Sequence, residues 1–211
     1  MVKTGWSQRT RPSSITFRGI VTTSPDPHIE QLSLSLAAVG ELVRGVRDEQ
    51  WLAPTPCTDW DVRTLVNHLV GMNLVFTAIL NDQPPPERGG DRLGDEPGNA
   101  YLKSGSMLLA AFEQPGVLER TYRSPLGDAT GEDRLQIRLY DLLAHGWDLA
   151  KATGQDLQLP DDVAEQSLAF VQVQLSSQSR TGRFNEAQSI RDSAPAIDRL
   201  AAFLGRSVSS P

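Results

Sequence analysis

The sequence has 211 residues, 39% hydrophobic and 22% charged, enough for one globular domain or at most two small ones, which excludes disorder as the main state. Acidic residues number 26 and basic ones 20, a net charge of −6, which excludes the basic footprint that nucleic acid binding requires. No run of 18 apolar residues occurs, and the richest stretch, 32–46, is broken by serines, glycines, Glu41 and Arg44, so no membrane span is expected.

Residues 1–20 carry Lys3, Arg9, Arg11 and Arg18 and no acid, leaving 16 basic against 26 acidic residues, or −10, for the remainder. This segment lacks the apolar core of a secretory signal, although its basic, hydroxyl-rich character overlaps with organellar transit peptides. Residues 1–25 are expected to form a disordered extension ahead of one helical domain over 26–211. A single cysteine, Cys57, excludes an internal disulfide and agrees with a reducing, cytoplasmic setting.

After Ser24-Pro25-Asp26-Pro27, apolar residues recur at helical spacing from Ile29 to Val46, predicting a first long helix. Thr58, with Asp61 three residues on, signals the N-cap of a second helix. Its buried stripe is Val62, Leu65, Val66, Leu69, Val70, Phe76 and Ile79, and it ends before Pro84-Pro85-Pro86. Residues 87–98, with four glycines, read as a mobile loop. A third helix over 99–114 turns Leu102, Leu108, Leu109 and Phe112 inward. The β-like stretch 118–122, followed by Pro125-Leu126-Gly127, suggests a short hairpin or extended arm, too little for a sheet core. A fourth helix over 132–152 stops at Thr153-Gly154. A fifth runs over 161–178, a loop over 176–183 follows, and a short helix over 197–204 closes the chain. The fold class predicted is therefore all-α, a four-helix bundle with short additional helices and a small β-like arm.

The chain has three histidines, His28, His68 and His145, the last two within predicted helices. His68 shares a helix face with Leu65 and Met72 and points to the edge of the apolar stripe. In helix four, Asp141 and His145 are stacked one turn apart, with Cβ atoms about 5–6 Å apart, so both can reach one ion at about 2.0–2.2 Å. His68 from a facing helix would complete a three-ligand open site. By spacing alone, such an Asp/His pair serves more often as a surface hydrogen bond or ion pair, and a half-buried histidine is more often structural. The apolar neighbours Leu139, Leu142, Leu143 and Leu149 weigh the other way, because an unpaired Asp141 near a core is costly.

The segments TPCTDWDVRTLVNHLVG (55–71) and RLYDLLAHGWDLAKATG (138–154), with FLGR (203–206) after DRL (198–200), resemble the actinobacterial metal-binding family of the DinB-like superfamily. That superfamily also holds the N-terminal domain of mycothiol-dependent maleylpyruvate isomerase. The resemblance covers residues 27–206. It implies a DinB-like four-helix bundle holding one divalent metal ion, zinc first with nickel or another ion open, through His68, Asp141 and His145. It further implies a metal-dependent S-transferase that passes a low-molecular-weight thiol, mycothiol as co-substrate, to a small electrophile. In the isomerase domain the carboxylate ligand is a glutamate where this chain has Asp141, and a second, C-terminal domain contributes to catalysis. The chain is expected to lack that domain, so maleylpyruvate isomerisation does not transfer with the fold.

Two neighbours have supporting readings. Asp148 could orient a ligand imidazole from behind or stand as an exposed acid on the next turn, and Arg138 could neutralise Asp141, reach an anionic substrate or form a surface salt bridge. Cys57 is read as a small packing residue, remote from the histidines in sequence and helix phase. Trp60 and Trp147 are read as packing residues, and Asn67 and Asn73 have no spacing that demands a role. Two further functions remain open on the sequence: a non-catalytic metal-binding or regulatory bundle, and a helical interaction protein whose histidines only pack. A homodimer is open as well, although no surplus apolar stripe demands one.

Overall fold

A computed structural model describes residues 26–87, 89–124, 127–177, 180 and 184–208. The predicted extension 1–25 and most of the predicted loop 176–183 lie outside these residues. The described elements are α1 (Pro27–Arg44), α2 (Val62–Leu80), α3 (Pro97–Phe112), β1 (Thr121–Tyr122), β2 (Ala129–Thr130), α4 (Gly131–Thr153), α5 (Asp161–Ser177) and α6 (Ala196–Phe203), with one 3-10 turn at Asp48–Gln50. The fold is all-α, with β1 and β2 pairing antiparallel as the only β arm among the described residues.

Local signals account for most boundaries. Asp26 caps α1, accepting from the His28 backbone N–H at 2.9 Å, and Pro27 occupies the first helical position. His28 therefore lies inside α1, where its Nδ1 meets the Glu132 carboxylate at 2.6 Å. Thr130 and Asp133 form the capping box that starts α4, and Gly154, in the left-handed conformation at φ 69°, ends it.

The α2 start differs from the expectation. Asp61, not Thr58, is the cap, with its carboxylate accepting from the Thr64 backbone N–H at 2.7 Å. Residues 55–60 fold into a tight turn instead: the Thr55 amide donates to the Trp60 carbonyl at 3.0 Å, the Trp60 amide donates to the Cys57 carbonyl at 3.1 Å, and Asp59 takes φ 71°. That turn carries Cys57 and Trp60 back over the bundle. On α3, Leu108 and Phe112 are buried as expected and Leu109 is partly buried, but Tyr101 and Ser104 complete the inner face and Leu102 is exposed.

Of the stretch 87–98, read as mobile, residues 89–98 are fastened along the side of α2. Asn67 accepts from the Arg92 backbone N–H at 2.8 Å and donates to the Gly90 carbonyl at 3.0 Å, Arg63 pairs with Asp91 at 2.7 Å, and Leu93 is buried. By length and composition alone α2 could cross a membrane, but over half of that stretch is buried within the protein, as in a core helix.

One core fills the space between α1, α2, α3 and one side of α4, where Leu135, Leu142 and Leu149 are inaccessible. A smaller core joins the other side of α4, through Leu139, Tyr140 and Leu143, to α5 and α6. Helix α4 thus serves both, and α1 crosses it closely: a Cβ at Gly146 would stand 2.8 Å from a Val39 methyl carbon. A groove bordered by α2, α4, α5 and the segment after α6 stays open.

Candidate metal centre

His68 on α2 and Asp141 and His145 on α4 meet at this groove. The Nε2 atoms of both histidines stand 3.6 Å from Asp141 Oδ1. The imidazole centroids are 4.8 Å apart, and the Trp60 ring covers both, at 4.7 Å from His68 and 5.4 Å from His145. Trp60 is a packing residue as expected, but it packs on the site itself.

The three side chains fit a metal ion. A separation of 3.6 Å is too long for a hydrogen bond. It matches the edge of a tetrahedron, since ligand atoms at about 2.0–2.2 Å from a zinc-sized ion stand about 3.3–3.6 Å from one another. His68 Nε2 is buried with no hydrogen-bond partner, a costly arrangement for a ring nitrogen that an ion would relieve.

Both carboxylates behind the site are tied to guanidinium groups. Arg138, fully buried, donates to Asp141 Oδ2 at 2.7 Å, which leaves Oδ1 facing the histidines. Burial raises the Asp141 carboxyl, but His68, His145 and Arg138 more than reverse this and hold it well below the usual carboxylate range. Arg138 is fixed in turn by Asn73 Oδ1, at 2.7 and 3.1 Å, and by the Leu69 carbonyl at 3.2 Å. Asn73 then donates to Ser104 Oγ on α3 at 3.0 Å. Of the readings open for Arg138, the structure selects neutralisation of Asp141.

On the other flank, Asp148 is fully buried and receives His145 Nδ1 at 3.0 Å. Burial raises its carboxyl, and the bonds from His145 and Arg206 reverse the effect and keep it low. An ionised carboxylate only accepts, so Nδ1 carries the proton, and in the neutral ring the lone pair is then on Nε2, the nitrogen that faces the site. Arg206 grips Asp148 from the far side, with Nε to Oδ1 at 3.2 Å and NH2 to Oδ2 at 2.8 Å. Asp148 therefore stands behind the imidazole and is not exposed.

Cys57 is corrected. The turn at 55–60 places its sulfur within 4.8 Å of ligand atoms of His145 and Asp148, and it lines the same cleft as the three predicted ligands. Burial pushes the Cys57 thiol up, the Asp148 charge adds to this, and Arg206 offsets part of it, so the thiol form is favoured. With Asp148 committed to Arg206, this second cluster is a poorer ligand set than the first.

Asn73 and Arg206 support the candidate site and were missed by spacing. A buried asparagine five positions after His68 carried a weak signal, and Arg206 carried none beyond the FLGR likeness. Trp147 packs as expected, donating to Asp198 Oδ1 of α6 at 2.7 Å. The site opens on a cleft of about 870 Å³.

Residues 32–150 match the family described as the mycothiol maleylpyruvate isomerase N-terminal domain. The chain belongs to this family. Two uncharacterised proteins of Mycobacterium tuberculosis, from strains CDC 1551 / Oshkosh and ATCC 25618 / H37Rv, are each 33% identical to it over 174 residues, covering 81% of this chain and 93% of theirs. No solved structure gives a significant match. The family match takes in His68, Asn73, Arg138, Asp141, His145 and Asp148, whereas Arg206 lies beyond it.

Proposed function

We propose that this protein binds one divalent metal ion, zinc by preference, through His68 Nε2, Asp141 Oδ1 and His145 Nε2, and transfers a low-molecular-weight thiol of the mycothiol type to a small electrophile. The observation that carries the metal reading is the buried, unpartnered His68 Nε2 directed at the carboxylate oxygen that also faces His145. Membership of a family named for a mycothiol-dependent isomerase supports the thiol.

A divalent ion held by two neutral imidazoles and one carboxylate keeps net positive charge and favours the thiolate form of a bound thiol. The chain's own residues prepare the site. Asp148 keeps the His145 proton on Nδ1, Arg138 holds Asp141 ionised with one oxygen free, and the Trp60 ring keeps water off one side of both imidazoles. The cleft of about 870 Å³ has room for two small molecules beside these groups.

A non-catalytic metal-binding bundle is the second reading. It is favoured by the commitment of Asp148 to His145 and Arg206 and of Asp141 to Arg138, which leaves neither carboxylate free to take a proton from a substrate.

Elemental analysis of untagged protein tests the first step. About one divalent ion per chain is expected in the parent and none in His68→Ala or His145→Ala variants that keep their helical circular dichroism. A parent that stays metal-free after zinc and nickel are offered overturns the metal reading. Metal binding without thiol consumption against a panel of electrophiles selects the non-catalytic bundle.

A further inference from the structure

Arg134, in the first turn of α4, lines the cleft and is 1% exposed. Its Nη2 donates to the Tyr122 carbonyl at 3.3 Å, to Ser124 Oγ at 3.0 Å and to the Gly127 carbonyl, which fastens the β arm to α4. Its Nε is buried with no hydrogen-bond partner. Arg138 and Arg206 are each paired with a carboxylate, whereas among the described residues none pairs with Arg134. A guanidinium keeps its charge, so burying one without a counter-ion is costly. Burial pulls the Arg134 guanidinium below its ordinary value, and the charges of Asp133 and Asp128 offset only part of this. Asp133 is occupied by the Thr130 amide and hydroxyl, and Asp128 stands toward Arg123, 3.7 Å away.

Arg134, Asp141 and His145 succeed one another after seven and four residues and form one stripe along α4. The Arg134 backbone therefore lies about 10 Å of helix rise from Asp141. Ile137 and Tyr140 line the cleft within that interval, and the rings of Phe170 and Phe184, 6.4 and 6.3 Å from that of Tyr140, extend it into an aromatic wall. An unpaired cation thus stands at one end of the cleft and the three candidate metal ligands at the other.

We propose that Arg134 receives a carboxylate of the substrate, so that the electrophile is a small organic acid whose anionic end lies two helix turns from the atom that reacts beside His68, Asp141 and His145. The inference deepens the thiol-transfer reading by naming the class of the electrophile, and it rests on that reading for the reaction but not for the binding. The Nε–H is the donor left for the anion, and a carboxylate that accepts from it forms a charge-assisted bond and balances the buried charge. One negative charge fits this end better than two. Among the described residues the other guanidinium lining the cleft, Arg206, is held by both oxygens of Asp148, and a second charge would face Asp128 and Asp133 without a cation of its own.

The test is calorimetric titration of phenylpropionate and its neutral isostere, phenylpropionamide, into the full-length protein with and without zinc. The carboxylate is expected to bind about tenfold or more tightly than the amide in both forms. Arg134→Gln, which keeps a donor for the arm carbonyls, should remove this preference and leave the affinity for the amide and the metal content unaltered. Asp128→Asn, at an exposed position, should tighten the carboxylate about two- to threefold without altering the amide, and it decides the matter if the unfolding midpoint shows that Arg134→Gln does not fold. Equal affinities, no binding of either probe, a preference that survives Arg134→Gln, or one that appears only with zinc and so places the carboxylate on the ion, would each overturn the proposal. Metal and thiol assays report separately: a metal-free protein that keeps the preference sinks the transferase reading and leaves the carboxylate site standing, whereas a zinc-loaded protein that consumes thiol without the preference sinks this inference alone.

Discussion

Asp141 and Asp148 lie two turns apart on one face of α4, and each is held by a guanidinium group, yet the two flanks are built from different material. The Asp141 flank is internal to the bundle. Arg138 comes from the same helix, is wholly buried, and is bonded to Asn73 of α2, which reaches Ser104 of α3. The Asp148 flank is closed by Arg206, which arrives from beyond α6 and outside the family match. A bundle alone can place the ligand atoms, whereas holding the His145 proton on Nδ1 draws on a segment more than fifty residues further along the chain.

The largest effect is expected on the bundle flank. Arg138→Met would leave the half-buried Asp141 without its cation and the buried Asn73 Oδ1 without a donor, costing about 3 kcal/mol of stability, read as a lower denaturant midpoint. Arg206→Gln should act differently. Asp148 keeps His145 as a partner, so the stability cost is about 1–3 kcal/mol, while zinc affinity in a chelator competition falls about 10–100-fold as the orientation of His145 loosens. Equal effects of the two variants on affinity and stability would erase the distinction between the flanks.

The smallest effect separates the bundle core from the site. Burial pushes the Tyr101 phenol far above its ordinary range, with Arg138 opposing weakly, and its hydroxyl donates to the Leu36 carbonyl at 3.2 Å. The folded protein keeps a proton that the unfolded chain releases near about pH 10. The stability linked to it is complete below that pH and declines as the pH rises beyond it. Tyr101→Phe should cost about 1 kcal/mol at neutral pH, flatten the alkaline decline relative to the parent, and leave metal content unchanged.

Much of this was legible along the chain. The apolar period of α1, α2 and α4, the Gly154 end of α4, and the one-turn stacking of Asp141 with His145 are local matters of helix geometry. His68 could be placed at the edge of the apolar stripe because Leu65 and Met72, three before and four after it, set the phase. Cys57 could not, because its position depends on a turn in which Asp59 adopts a left-handed backbone, and no helical phase extends through it. Leu102 was misassigned because the buried side of α3 is chosen by Tyr101 packing onto α1, not by its leucines alone.

By itself the sequence determined an acidic, helical, single-cysteine protein with an acid and two histidines directed toward a helix interface, since side-chain direction along a helix follows from 3.6 residues per turn. Only the tertiary structure decided that Arg138 and Arg206 hold the two carboxylates, that Asn73 supports one of them, that Trp60 covers both imidazoles and that an aromatic wall borders the cleft. Those contacts join α2, α3, α5 and the segment after α6 to α4 across long stretches of chain. Their pairing is selected by which buried charges and rings can be satisfied together, and spacing along one helix does not encode that.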